Sequence, residues 1–210
     1  MTLFQLGIDN NFKAIGYALK IDSVNLRNSL ISNIYLTRSN IFNNLKQADS
    51  TKYYLFKSYE FKKNPVVLVD IAAHYMQNEI NDDSARSYLD RAMAYINDDK
   101  KKARQYEKSV TYFMYGKYFL NKQNYKEATV YMENALSFGL DKKNYNHLSD
   151  VYRHLVLCYK KSDNIVMENK YLAMYNELKD SINETQARLI EESIKQIEEH
   201  ETKITDKNIN

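Results

Sequence analysis

Four ten-residue segments of this chain align without gaps: KYYLFKSYEF from Lys52, RSYLDRAMAY from Arg86, TVYMENALSF from Thr129 and NKYLAMYNEL from Asn169. Tyr54, Tyr88, Tyr131 and Tyr171 share one place in them, followed by Leu55, Leu89, Met132 and Leu172, at successive spacings of 34, 43 and 40 residues. Self-similarity at such a period constrains the fold more than any single residue does. Each copy is one supersecondary unit that cannot bury its apolar face alone, so copies must stack. Within each copy the shared positions fall three and four residues apart, which places them on one face of a helix.

The stretch Ser109–Asp141 shows the whole unit. Tyr112, Tyr115 and Phe119 recur at helical spacing, Asn121–Asn124 is a polar break, and Ala128, Met132 and Ala135 line one face of a second helix. Gly116 and Ala128 are small where two helices must approach closely, and the tyrosines are large where a neighbour's gap must be filled. Such alternation describes a helical hairpin. The same residues resemble the tetratricopeptide (TPR) pattern, with Tyr112, Tyr115, Gly116 and Phe119 in the W-x-x-L-G-x-x-Y places and Tyr125, Ala128, Met132 and Ala135 in those of the second helix. The resemblance implies an all-α, right-handed α-α solenoid of four to five hairpins with a long C-terminal helix, and binding along the concave surface lined by first helices.

Laid along the chain, the pattern predicts a second helix over Asn11–Ile21, with only Thr2–Gly7 before it. The chain is therefore expected to begin inside a repeat or with a truncated cap. A helix over Leu26–Leu45 follows, with Leu30, Ile34, Ile41 and Leu45 as its apolar stripe. Pro65 suits the first turn of a helix over Val66–Glu79, because its missing N–H would go unbonded there anyway. In that helix Ala72, Ala73 and Met76 stand in the L-G-x-x-Y places. Tyr145–Lys161 and Ile165–Tyr175 form the last pair. No Gly or Pro follows Tyr175, so the helix should run on to about His200. The expected division is a repeat domain over 1–175, an acidic linker helix over 176–204 and a frayed tail over 205–210.

Charge separates these parts. The segment 176–201 carries −5, and the chain up to Tyr175 carries +7 with its lysines scattered. Scattered charge of that size is a solvated surface, which ranks nucleic acid below protein as a partner. One cysteine, Cys158, allows no internal disulfide and leaves the compartment undecided, cytoplasmic or periplasmic. No apolar run approaches the length of a membrane span. No glycine-rich phosphate loop exists, and His154 with Cys158 lacks a third orienting group. His147 and His154 are too few for a metal site. The expectation is a non-enzyme without cofactor or metal.

Carrying the TPR register over residue by residue, the resemblance puts the groove on Asp70, His74 and Asn78, on Phe113, Lys117 and Asn121, and on Arg153, His154 and Lys161. A chaperone-type carboxylate clamp is not expected, since Asp70 and Ile71 stand where it would begin. The segment NKYLAMYNELKDSINETQ, with its core Leu178 to Ile182, resembles the end of the TPR sensor region in Bacteroidetes-type signalling proteins, in which a helical linker leads to a kinase or helix-turn-helix output. That resemblance implies the sensory or regulatory part of a bacterial signalling or transcription-regulator protein; a free-standing cytosolic adaptor, or a regulator responsive to peptide or nucleic acid, is the alternative. In the exit helix Leu178, Ile182 and Leu189 continue the docking face, and Ala187, Ile190, Ile194 and Ile197 form a short heptad seam that predicts a weak homodimer.

Overall fold

The computed structural model describes residues 13–79, 81–139 and 145–209. The chain divides after Gly139 into two compact units. In the first, residues 13–18 are helical, and six helices follow: α1 (Val24–Asn44), α2 (Ala48–Phe61), α3 (Pro65–His74), α4 (Asp82–Ile96), α5 (Gln105–Asn121) and α6 (Tyr125–Gly139). A π turn over Tyr75–Glu79 extends α3, and a 3-10 turn over Asp99–Lys101 precedes α5. The second unit is α7 (Tyr145–Lys161) and α8 (Ile165–Ile209). No strand occurs among the described residues. The fold is an all-α helical repeat.

Helices pair in sequence as hairpins: α1 with α2, α3 with α4, α5 with α6 and α7 with α8. In the first unit α3 also packs on α2 and on α5, and α4 on α5. The first helices α3 and α5 are thus packed beyond their own hairpin partners, as the repeat logic requires. The contact points expected on α6 are closed: Ala128, Met132 and Ala135 are fully buried, and so are Ala85 and Ala92 of α4. A Cβ built on Gly116 would lie 2.5 Å from Met132 Cγ and 3.2 Å from the Ala128 carbonyl oxygen, so glycine is required by the approach of α6 to α5.

One ring arrangement recurs in three hairpins. Tyr54 of α2 stacks on Phe42 at 5.2 Å and lies 6.1 Å from Tyr35. Tyr131 of α6 stacks on Phe119 at 5.2 Å and lies 6.2 Å from Tyr112. Tyr171 of α8 stacks on Tyr159 at 5.5 Å and lies 6.2 Å from Tyr152. In the hairpin of α3 and α4 a gapless register offers Met76 to Tyr88, but the ring that stacks there is Tyr75, at 5.7 Å and 12°. The π turn accounts for the shift: Asn81 N–H reaches back to the Tyr75 carbonyl, one residue further than the equivalent bond from Asn124 to Phe119.

The hairpin turns repeat as well. Lys46, Gln123 and Asp163 occupy one place in their turns, and all are left-handed, with φ of 56°, 58° and 54°. The next residue's N–H closes the helix end in each case, Gln47 to the Phe42 carbonyl, Asn124 to Phe119 and Asn164 to Tyr159, the bond of a Schellman motif. Asn81, Asn124 and Asn164 then cap the following helix by accepting from the N–H groups of Ser84, Glu127 and Met167. Asn64 does the same for α3 by accepting from Val67 N–H at 3.0 Å, with Pro65 in the first turn as expected.

Three expectations need correction. The stripe Leu30, Ile34, Ile41, Leu45 is not the buried face of α1: Leu30 is 37% exposed, whereas Ile31, Ser32, Arg38 and Ser39 are buried. Polar atoms can turn inward there because partners await them. Ser32 Oγ bonds the Ser58 carbonyl at 2.9 Å, and the Arg38 guanidinium lies over the rings of Tyr54 and Tyr35 at 5.4 and 5.8 Å. On α8, Leu189 does not dock; it is 52% exposed, while Leu178 and Ile182 are half-buried. Helix α8 also continues to Ile209, past His200 and through most of the tail expected to fray. Segment 2–7 and the residues Asn11 and Phe12 of the expected first helix lie outside the described residues, as does the Ile197 side chain.

Candidate functional site

The first unit contains a recess between two consecutive first helices. Ser39, Asn40 and Asn43 line it from α1, and Asp70, Ala73, His74 and Gln77 from α3 and its π turn, with Thr51 and Leu55 of α2 as the floor. Its volume is about 110 Å³. The helical spacing of Asp70, Ala73, His74 and Gln77 puts all four on the same side of α3. On α1, Asn40 and Asn43 are three apart for the same reason.

The electrostatics of the recess centre on Asp70. It is half-buried, and its loss of contact with water pushes the carboxyl from the ordinary 3.8 up to about 7. Neighbouring Tyr106 of α5 is raised too, first by burial and then by the charge of Asp70. His74 is buried, and its Nδ1 lies 3.3 Å from Asn78 Nδ2, which also donates to the His74 carbonyl. The hydroxyls of Ser39 and Thr51 donate to the carbonyls of Leu36 and Gln47, at 2.7 and 2.9 Å.

Of the residues carried over from the repeat register, Asp70 and His74 are therefore brought together with α1, and Asn78 is exposed beside them. On α5, Phe113 is buried, Lys117 is half-buried with Nζ 5.8 Å from the Phe113 ring centroid, and Asn121 is exposed. In the second unit Arg153 is exposed and pairs with Asp150 at 3.0 Å, His154 Nδ1 lies 2.7 Å from the Asp150 carbonyl, and Lys161 is exposed. Cys158 is fully buried. Among the described residues no group of three or more His, Cys, Asp or Glu could hold a metal, and no helix is long and apolar enough to cross a membrane.

Sequence reasoning missed Ser39, Asn40, Asn43, Thr51, Gln77 and Tyr106. The missing signal was available in part. Placing α1 in the same register as α5 by its rings, Tyr35 with Tyr112 and Phe42 with Phe119, puts Asn40 in the place of Lys117 and of His74.

On α4, Arg86 ion-pairs with Asp90 at 3.0 Å while lying over the rings of Tyr115, Tyr118 and Phe119, and Asp90 also accepts from the Tyr115 hydroxyl. Burial first, then that hydrogen bond, raises the Tyr115 phenol above its ordinary range. These groups tie α4 to α5 and satisfy one another. A more apolar cavity in the second unit, lined by Leu148, Tyr152, Met174 and Leu178, brings no such set of polar groups together, and the α1–α3 recess is the candidate site.

No family model and no curated protein matches the chain. Among solved structures, BtubC (BKLC) from P. vanneervenii is similar over 86% of this chain and 74% of its own, with a TM-score of 0.65 and 14% identity. MamA AMB-1 aligns over 83% of this chain and 92% of its own, with a TM-score of 0.47 and 16% identity. Together with the repeated hairpins, the likeness to BtubC establishes the fold as a TPR-like helical repeat.

Proposed function

We propose that the chain is a non-catalytic protein-interaction module that takes an extended peptide or protein segment along the first-helix face of α1, α3 and α5. The observation that carries this reading is the recess between α1 and α3, where polar side chains from three helices converge on a carboxyl that burial has desolvated. A folded repeat gains nothing in stability from a desolvated charge, so such a group points to a ligand. Catalysis finds no comparable support: Cys158 is sealed in the core, and the His154 ring is engaged with the backbone of its own helix.

The module serves, in this reading, as the sensory or regulatory part of a bacterial signalling or transcription-regulator protein. The exposed seam on α8 favours this over a free-standing adaptor. Ile190 is 60% exposed and Ile194 50%, on a helix too polar to be held by its own hairpin at that distance. A weak parallel homodimer would cover them.

Selection from a displayed short-peptide library, followed by calorimetry on the peptides obtained, tests the binding face. Asn40→Ala, Gln77→Ala and Lys117→Ala should each weaken binding about tenfold or more if they contact the peptide. Arg91→Ala on α4 should leave it unchanged. The opposite pattern overturns the assignment.

A further inference from the structure

Asp70 lies in a recess whose other polar groups are arranged to accept. Ser39 and Thr51 have spent their hydroxyl protons on the carbonyls of Leu36 and Gln47, so toward the recess each can offer only lone pairs. Asn40, Asn43 and Gln77 carry amides that turn to suit either role. Among the described residues no lysine or arginine lines the space, and the nearest guanidinium in sequence, that of Arg38, lies instead over Tyr54 and Tyr35. Asp70 itself makes no hydrogen bond or ion pair among the described residues, and its charge reaches Tyr106. About 110 Å³ is room for three or four waters, or about one guanidinium or ammonium head.

From this we infer that the α1–α3 recess is a cation-capture site: it takes the head of an arginine or lysine side chain of the bound peptide, with Asp70 as counter-ion and the Ser39 and Thr51 oxygens as further acceptors. The inference rests on the peptide-binding reading above and adds the chemistry of the residue recognised. It is the reverse of a carboxylate clamp, in which the repeat supplies the cations. Charge-assisted bonds to a half-buried, partly desolvated carboxylate are stronger than neutral ones, and a cationic ligand recovers the cost of that desolvation.

The other titratable groups facing Asp70 are His74 on its own helix and Tyr106 on α5; α1 and α2 present none among the lining residues. A proton on Asp70 removes the counter-charge, and a proton on His74 adds a like charge to the ligand's. Both make capture fail on acidification. With the Asp70 carboxyl near 7, affinity should drop about tenfold from pH ~8 to pH ~6.

Butylguanidinium serves as the probe, titrated into the full chain at about pH 8, with aspartate carboxyl carbons and backbone amides followed by NMR and sodium chloride at equal ionic strength as control. The expected result is a saturable shift at the Asp70 carboxyl and at amides of α1 and α3, absent in Asp70→Asn and about tenfold weaker at pH ~6. Asp70→Asn preserves shape and relieves a desolvated charge, so it should fold; Asn40→Leu, which fills the recess and keeps Asp70, should also abolish the shift. A response no different from sodium chloride, or an equal saturable response in Asp70→Asn, overturns the inference. Library peptides binding on another surface would instead overturn the functional reading, while the probe result would stand by itself.

Discussion

Tyr75 stacks on Tyr88 with ring centroids 5.7 Å apart and planes 12° from parallel, although Met76 is the residue that a gapless repeat offers to that ring. The π turn therefore acts as a one-residue correction that keeps an aromatic in the shared place. Tyr75→Ala should cost about 1–3 kcal/mol in urea unfolding, through lost ring stacking and burial. A change within a few tenths of a kcal/mol would mean that the stack contributes nothing.

Gly116 faces Met132 where α5 and α6 approach closely. Gly116→Ala puts a methyl where Met132 Cγ stands, and Ala128→Leu adds three carbons to a fully buried site; each should destabilise by about 1–3 kcal/mol. Where Val156 and Leu172 replace this pair in the hairpin of α7 and α8, Leu172 is 39% exposed. Val156→Gly is not expected to raise stability, since glycine costs the helix about 1 kcal/mol.

The left-handed residues Lys46, Gln123 and Asp163 bear a conformation that glycine adopts without strain. Gln123→Gly should stabilise by about 0.5–1 kcal/mol despite adding freedom to the unfolded chain. Thermal unfolding measures it, and a clear loss of stability would contradict the turn geometry.

How far the sequence could be read depends on the kind of residue. The hairpins of α3 to α8 were legible because Tyr88, Tyr131 and Tyr171, and Ala92 and Ala135, mark apolar faces at helical spacing. Helix α1 was legible as a helix but not in its packing. Its buried face includes Ser32, Arg38 and Ser39, polar residues that become core only when the Ser58 carbonyl and the rings of Tyr35 and Tyr54 meet them. Periodicity counts apolar residues and cannot see such partners. The recess was half legible for the same reason: Asp70 and His74 follow from the register of α3, whereas Asn40 and Asn43 follow only once α1 is placed beside it.

Asp70 also governs a pH dependence of stability. Its folded value near 7 lies above the ordinary 3.8, so the native state holds a proton that the unfolded chain has released, and this group's effect on stability worsens as pH rises between about 4 and 7. Asp70→Asn should therefore match the wild type near pH ~4 and exceed it by about 2 kcal/mol near pH ~8, the recess opening letting water offset part of the full effect. Urea unfolding across that range checks both ends. A variant less stable at pH ~8 would show that the carboxylate is stabilised by a partner.

Exposure of Ile190 and Ile194 predicts self-association through α8. Sedimentation should show a weak, concentration-dependent dimer, lost in Ile190→Glu with Ile194→Glu. Two heptads flanked by Glu191 and Glu192 are short for stable pairing, which sets the expectation of weakness. A strict monomer at high concentration, with α8 still helical, would contradict the seam.

On the proposed function, partners bind along the first-helix face of α1, α3 and α5. A library-selected peptide carrying a nitroxide label, mixed with isotope-labelled protein, reports directly on where it lies through broadening of nearby amide signals. Broadening centred on Asn40, Asn43, Asp70, His74 and Lys117 is the predicted result. Broadening centred instead on the outward residues of α4, around Ser87 and Arg91, would contradict it.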